Sequence, residues 1–254
     1  MVPKPSNADD ADRRATDPDR RTGPTNPHGR KSAAVRQAIR TELAADAKEE
    51  TNAPISEAAT AVADRKAIAE LERVSLAFDR PILEEVSFDA REGETTAIVG
   101  ESGTGKSTIL KLLLRLLVPD SGRVLVDGQD ITSLTFDEAL RVRQTMGMVF
   151  QGSALFDSMS IFENVAYPLR EHTNMNEDEI EERVREKLQI VDLDPDSVME
   201  QLPSELSGGM RKRVGVARGI ANNPRLILYD EPTSGLDPLT TGTIARLIMK
   251  LRAS

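Results

Sequence analysis

Gly100-Glu101-Ser102-Gly103-Thr104-Gly105-Lys106-Ser107 fits the pattern G-x-x-x-x-G-K-[ST]. Glycines at this spacing let a loop curl so that backbone N–H groups converge on phosphate oxygens. A helix that follows adds its positive N-terminal end, and Thr108 lies within that start. Lys106 can supply a mobile point charge for a β- or γ-phosphate. The Ser107 hydroxyl can ligate Mg²⁺. A Gly-rich turn is the plainer reading of such a stretch, but a β-prone run before it and a helical run after it favour the phosphate cradle.

A second set of polar groups follows an apolar run. Leu226-Ile227-Leu228-Tyr229 reads as a buried strand, and it ends in Asp230-Glu231. Open α/β sheets bind ligands at the carboxyl ends of their strands. Asp230 is there a candidate for the Mg²⁺ shell. Glu231, one residue on, is a candidate general base for a water attacking the terminal phosphate. Acidic strand ends are common, so the pair gains meaning only from the phosphate loop upstream.

The elements needed to hold these groups are legible around them. Val74, Leu76 and Phe78 alternate with polar residues, as do Val86 and Phe88, which predicts strands. Thr95-Thr96-Ala97-Ile98-Val99 predicts a strand leading into Gly100. Lys106–Leu117 predicts a helix stopped by Pro119. Val124 and Val126 predict an edge strand closed by Asp127-Gly128. Met146–Phe150 predicts another buried strand. Glu177–Leu188 and Arg211–Ile220 predict helices, and Ile244–Leu251 lies in a third. The fold class expected is α/β; the phosphate loop resembles that of P-loop NTPases, and the resemblance implies such a core with an antiparallel β subdomain and a helical subdomain.

Leu206-Ser207-Gly208-Gly209-Met210 resembles the signature motif of ABC ATPases, with Met where Gln is commonest. Physically it is another anion site, a Ser hydroxyl and two glycine N–H groups at a helix start. Gln151, after the Met146–Phe150 run, resembles the Q-loop glutamine. Ser234-Gly235-Leu236-Asp237 resembles the D-loop. Phe78 stands where the family's adenine-stacking aromatic usually lies, though a core Phe fits equally well. The order is the family's, and the resemblance covers roughly residues 70 to 254. It implies ATP and Mg²⁺ as cofactors. Gly100 through Thr108, Phe78 and Asp237 would contact nucleotide. Lys106, Gln151 and Glu231 would serve catalysis. Ser107, Asp230 and Gln151 would surround the metal. It also implies a homodimer that sandwiches two ATP molecules, with Ser207, Gly208 and Gly209 acting across it, and a membrane permease moved by the cycle.

Two further stretches are similar to the ATPases of Mce-type phospholipid transporters, including the bacterial maintenance-of-lipid-asymmetry system. One runs from Phe150 to Asp157 and from Phe162 to Thr173; the other is Pro203 to Met210. This likeness implies a phospholipid substrate, an Mce-domain lipid-binding subunit and a place on the cytoplasmic face of the inner membrane, held there by the permease. Importer ATPases share part of the pattern. A transporter for another substrate, such as an amino acid, therefore stays open, as does a nucleotide-dependent subunit without turnover.

Composition narrows the field. The 254 residues carry a net charge of -9 and no Cys. Disulfides and thiolate metal sites are excluded. The acidic balance argues against a nucleic-acid partner. No apolar run approaches the roughly 18 residues of a membrane span. Residues 1–66 differ from the rest. Met1 to Lys31 is rich in Pro, Asp, Arg, Asn and Gly, too polar to offset its ordering entropy. A disordered tail is expected there, with the ATPase domain at 67–254. Hydrogen exchange showing protected amides across residues 1 to about 60 would contradict the tail.

The only histidines are His28 and His172, both upstream of Ser207. The resemblance implies a switch histidine beyond Asp237 and a further strand between the phosphate-loop strand and the Asp230 strand. The expectation is a C-terminally truncated domain. The 254-residue chain expressed as written is therefore expected not to hydrolyse ATP appreciably, since displacing catalytic groups by about 1 Å costs roughly 100-fold. Phosphate release from this chain and from one extended by the next roughly 60 residues of its gene measures this. Similar rates from two cooperatively melting proteins would refute it.

Overall fold

The computed structural model describes residues 65–252; the expected tail lies outside them except for its last two residues, Arg65 and Lys66, which bond the Gly93 carbonyl and the Asp127 carboxylate. Two long strands open the described chain, β1 (Ala67–Ala77) and β2 (Pro81–Arg91). Helix α1 (Lys106–Leu113) follows, then β3 (Ser121–Val126) and the short β4 (Gln129–Asp130). Helix α2 (Phe136–Gln144) leads into β5 (Met146–Val149). The helical part comprises α3 (Ile161–His172), α4 (Glu177–Ile190), α5 (Pro195–Val198) and α6 (Gly208–Gly219). Strand β6 (Leu226–Tyr229) and helix α7 (Pro238–Arg252) complete it.

The first four strands form an antiparallel sheet in the order β2-β1-β3-β4. The strand expected at an edge, β3, instead lies between β1 and β4. Asp127-Gly128 does turn the chain, and the two residues beyond it add the outer strand. Both turn residues have positive φ, 52° and 77°, the conformation of the hairpin turns that match strand twist. Leu71, Val74, Leu76, Val124 and Val126 point inward and pack on Ile109, Leu112 and Leu113 of α1.

Strands β5 and β6 pair in parallel, Met146 opposite Leu226 and Val149 opposite Tyr229. The expected strand at Thr95–Val99 does not form. This segment has no regular structure, and Val99 is 78% exposed. β-Propensity cannot make a strand without a neighbour to take its N–H and C=O groups, and among the described residues no strand pairs with it.

The second core lies between α3, α4 and α6, with Val165, Leu169, Val184, Leu188, Val214 and Val216 buried in it. Helices α2 and α3 were not singled out from the sequence. Both start with a capping box, Thr135 with Glu138 and Ser160 with Glu163, a signature readable as [ST]-x-x-E. Helix α1 stops at Leu113, four residues short of expectation, and α6 starts at Gly208 rather than Arg211.

Strand β5 meets α6 at backbone contact distance. A Cβ on Gly147 would lie 2.2 Å from the Gly219 carbonyl oxygen. Gly147→Ala is therefore expected to destabilise by about 1–3 kcal/mol. Urea unfolding checks this: the midpoint should fall with an unchanged slope.

Candidate nucleotide site

The phosphate loop is built from glycine geometry. Gly103 and Gly105 have φ of 83° and 90°, which only glycine adopts at no steric cost. A Cβ on Gly105 would also meet Leu83 at 2.9 Å, where β2 passes under the loop. Gly105 caps α1, so Lys106, Ser107 and Thr108 occupy its first turn. Gly100, Glu101, Ser102, Gly103 and Thr104 form the exposed part of the loop. The Thr104 hydroxyl donates to the Glu101 carbonyl at 2.8 Å. The Lys106 ammonium donates to the Gly100 and Glu101 carbonyls at 3.1 and 2.7 Å. The amine thus arches over the loop mouth, where a phosphate oxygen can replace a carbonyl as its partner.

Three distant segments meet beside this loop. The Ser107 hydroxyl donates to the Asp230 carboxylate at 2.8 Å, which brings both expected metal ligands together. The Gln151 side-chain amide donates to Glu231 at 2.9 Å and reaches the Ser234 hydroxyl at 3.4 Å. Parallel pairing explains the meeting: β5 and β6 end together, and the Asp230 N–H donates to the Val149 carbonyl at 2.9 Å. Glu231 turns out of the strand with φ 47°, a left-handed conformation for a non-glycine residue. Such strain collects at functional sites.

The remaining expected residues sit apart. Phe78 lies in the turn between β1 and β2 and is 61% exposed, not in the core. Ser207 caps α6, accepting from the Met210 N–H at 3.2 Å, and Gly208 and Gly209 form the helix start. Among the described residues, no hydrogen bond ties these three to the phosphate loop. The Asp237 carboxylate accepts from the Leu239 and Thr240 N–H groups at 3.0 Å each and from the Thr240 hydroxyl at 2.6 Å. It therefore caps the helix α7 that follows it. His172 is exposed at the end of α3. Sequence reading did not place Ser234 or Lys212 in the site. Lys212, on α6, donates its ammonium to the Gln151 carbonyl, and no local motif signals that contact.

Next to the site is an apolar groove of about 360 Å³. Phe150, Phe156 and Tyr167 line it while remaining 41–43% exposed. Arg143 and Arg218 lie at its margin, Arg218 over the Phe156 ring at 5.7 Å.

A glycine-shaped phosphate loop opening a helix, with acidic residues at the end of a neighbouring parallel strand, defines a P-loop nucleotide-binding fold. The family model described as ABC transporter matches residues 83–234. The chain belongs to the ABC transporter family. It is 48% identical over 172 residues to the probable ribonucleotide transport ATP-binding protein mkl of Mycobacterium leprae, covering 68% of this chain and 49% of the relative. It is 47% identical over 173 residues to the intermembrane phospholipid transport system ATP-binding protein MlaF of Haemophilus influenzae, covering 68% and 65%. The chain thus spans between about half and two thirds of the length of these relatives. Among solved structures it resembles the dimeric bacterial ABC transporter cassette MJ0796, with a TM-score of 0.67, 34% identity and 73% and 83% coverage. The same cassette is known dimeric in a post-hydrolysis state with ADP and Pi, TM-score 0.66, 34% identity, 72% and 82% coverage.

The Asp237 cap has a pH signature. The Thr240 hydroxyl, helped by backbone N–H groups, holds this carboxyl below its ordinary value of 3.8. A depressed carboxylate stabilises the fold above its unfolded value, and that contribution is lost as pH falls through the folded value. Asp237→Ala should therefore melt below the parent at pH 7, with the gap closing as pH drops below 3.8. Paired thermal melts across that range test it.

Proposed function

We propose that this chain is the ATP-binding and ATP-hydrolysing subunit of a membrane transporter, and that the transported substrate is a phospholipid. The observation that carries the enzymatic reading is the convergence of Ser107 with Asp230 and of Gln151 with Glu231 from three segments of the chain. Lys106 and the loop N–H groups hold the β- and γ-phosphates. Ser107 and Asp230 hold Mg²⁺, with Gln151 beside it. The donor chemistry fits: these are hard oxygen ligands, and Mg²⁺ is usually bound through one or two carboxylates plus substrate phosphates. The ion supplies neutralisation of phosphate charge. Glu231 takes a proton from the attacking water as its oxygen bonds to the γ-phosphorus and the bond to the ADP oxygen breaks. The Gln151 amide orients Glu231 for that transfer.

A homodimer fits the site because Ser207, Gly208 and Gly209 present an anion-binding helix start remote from the chain's own phosphate loop. Phe78 offers an exposed ring for adenine. The groove of Phe150, Phe156 and Tyr167 suits a permease helix, and no helix among the described residues is long and apolar enough to cross a membrane. The subunit then works at the cytoplasmic face of the inner membrane, beside the permease and an Mce-domain subunit. The phospholipid reading is supported by the likeness to MlaF. The mycobacterial relative's name favours a ribonucleotide as the second reading.

Two measurements test this. In the full-length gene product, Glu231→Gln should keep ATP binding and lose about 10²–10⁴ in turnover, whereas Lys106→Ala should weaken MgATP binding in an equilibrium titration. Turnover by Glu231→Gln within a few-fold of the parent removes Glu231 from its role. Reconstituted with its permease, the complex should move phospholipid between vesicles in an ATP-dependent way. Transport of ribonucleotide instead would overturn the lipid assignment and leave the ATPase intact.

A further inference from the structure

We propose that Lys212 is the positioning residue for Gln151, fixing its backbone so that its side chain meets Glu231. The proposal rests on the hydrolytic reading above. Gln151 is exposed and lies just past the end of β5, where no strand pairing holds it. Lys212 is only 7% exposed, and its ammonium donates to the Gln151 main-chain carbonyl. The Gln151 side chain then donates to Glu231 at 2.9 Å. A continuous chain of hydrogen bonds therefore runs from α6 through Gln151 to the candidate base.

The same helix fixes the residues that follow. Arg218 donates to the Ser153 and Ala154 carbonyls at 2.8 Å each. Gly215 lets Ser153 approach so closely that a Cβ there would stand 3.1 Å from the Ser153 Cβ. Ser153 and Ala154 both have positive φ, 65° and 47°. Two successive left-handed non-glycine residues persist only where the surroundings over-determine them. Helix α6 supplies that restraint, and the signature Ser207 caps the helix's other end. A movement of α6 as a body therefore carries Gln151 with it.

The cost of burying the amine separates this role from packing. Burial pushes the Lys212 amine below its ordinary value, against the pull of the nearby Glu231 charge. An ammonium is expensive to bury, and an apolar side chain of similar length fills the space without that penalty. If Lys212 served only packing, its replacement by Met would be neutral in every assay. If it positions Gln151, the same change spares stability and harms turnover.

The test uses the full-length gene product and MgATP. Lys212→Met should melt at or above the parent temperature and bind MgATP within about twofold, while kcat falls about tenfold or more with KM little changed. The Ser153 amide, which donates to Phe150, should exchange faster. Lys212→Arg, which keeps a charged donor, should restore most of kcat. In a Gln151→Ala background, Lys212→Met should have no further effect, because the two residues act as a unit. Unchanged kcat in Lys212→Met, or losses that simply add to those of Gln151→Ala, would overturn the proposal. If the parent binds MgATP but shows no turnover, the hydrolytic reading fails. Hydrogen exchange then decides the tie: unchanged Ser153 exchange in Lys212→Met refutes it, and faster exchange upholds it.

Discussion

The parallel pairing of β5 with β6 is the constraint on which the site depends. It is short, four residues on each side, and its register sets Val149 opposite Tyr229. The residues within two of each strand end are therefore delivered to one edge: Gln151 from one, Asp230 and Glu231 from the other. A slip of one residue would turn every side chain to the opposite face. Asp230 would then leave Ser107, and Glu231 would leave Gln151. The close approach of Gly147 to Gly219 guards this register, since only a glycine can sit opposite that carbonyl. The pair is also held from outside the sheet. Arg225, just before β6, bonds the Thr145 carbonyl through its N–H and pairs with Glu92 and Asp127 of the antiparallel part. Exposed pairs of this kind contribute little singly; here they tie the entry of β6 to two other segments.

Much of the candidate site was legible in the sequence because its chemistry is local. The Gly100–Ser107 pattern specifies its own backbone shape, and an apolar run ending in Asp-Glu specifies its own strand end. The antiparallel strands also followed from alternation at Val74, Leu76, Val86 and Phe88. What failed was non-local. Thr95–Val99 has the composition of a strand, yet pairing is a property of two segments, and residue types in one cannot supply the other. The misplacement of β3 at an edge has the same origin, since β4 is two residues long and carries no alternating pattern. Lys212 was hidden for a different reason. A lysine in a charged helix start reads as solvated surface, and only the path of the loop across α6 makes it a buried donor.

Helix α6 joins these parts. It packs on α3 and α4 through Val214 and Val216, touches β5 through Gly219, and restrains the residues after β5 through Lys212, Gly215 and Arg218. At its start Ser207 and Gly208 are exposed, while Gly209 is half-buried against Thr240. Arg218 also stacks on Phe156 at the margin of the apolar groove. One helix thus carries the Ser207 cap at one end and the groove contact at the other. Gln151 is held to this helix by Lys212 and reaches Glu231 with its side-chain amide.

Among the described residues, the segment before the phosphate loop joins no sheet. The loop's position rests on packing, with β2 beneath Gly105 and helix α1 after it. Helix α1 buries Ile109, Leu112 and Leu113 in the core beneath the antiparallel sheet, and Leu228 of β6 lies in that same core. Burying three such side chains contributes several kcal/mol by area, about 1.5–3 for each, far more than the single Ser107–Asp230 hydrogen bond, worth about 1.5–3 where one partner is charged. The packing therefore places the first turn of α1, and the hydrogen bond reads out the result. Because Leu228 stands two residues before Asp230, the apolar contact and the polar contact share one strand. Any shift of α1 that opened the Ser107–Asp230 distance would also have to pull Ile109, Leu112 and Leu113 out of the core that contains Leu228. The C-terminal side of the loop is thus located by the same core residues that locate Asp230.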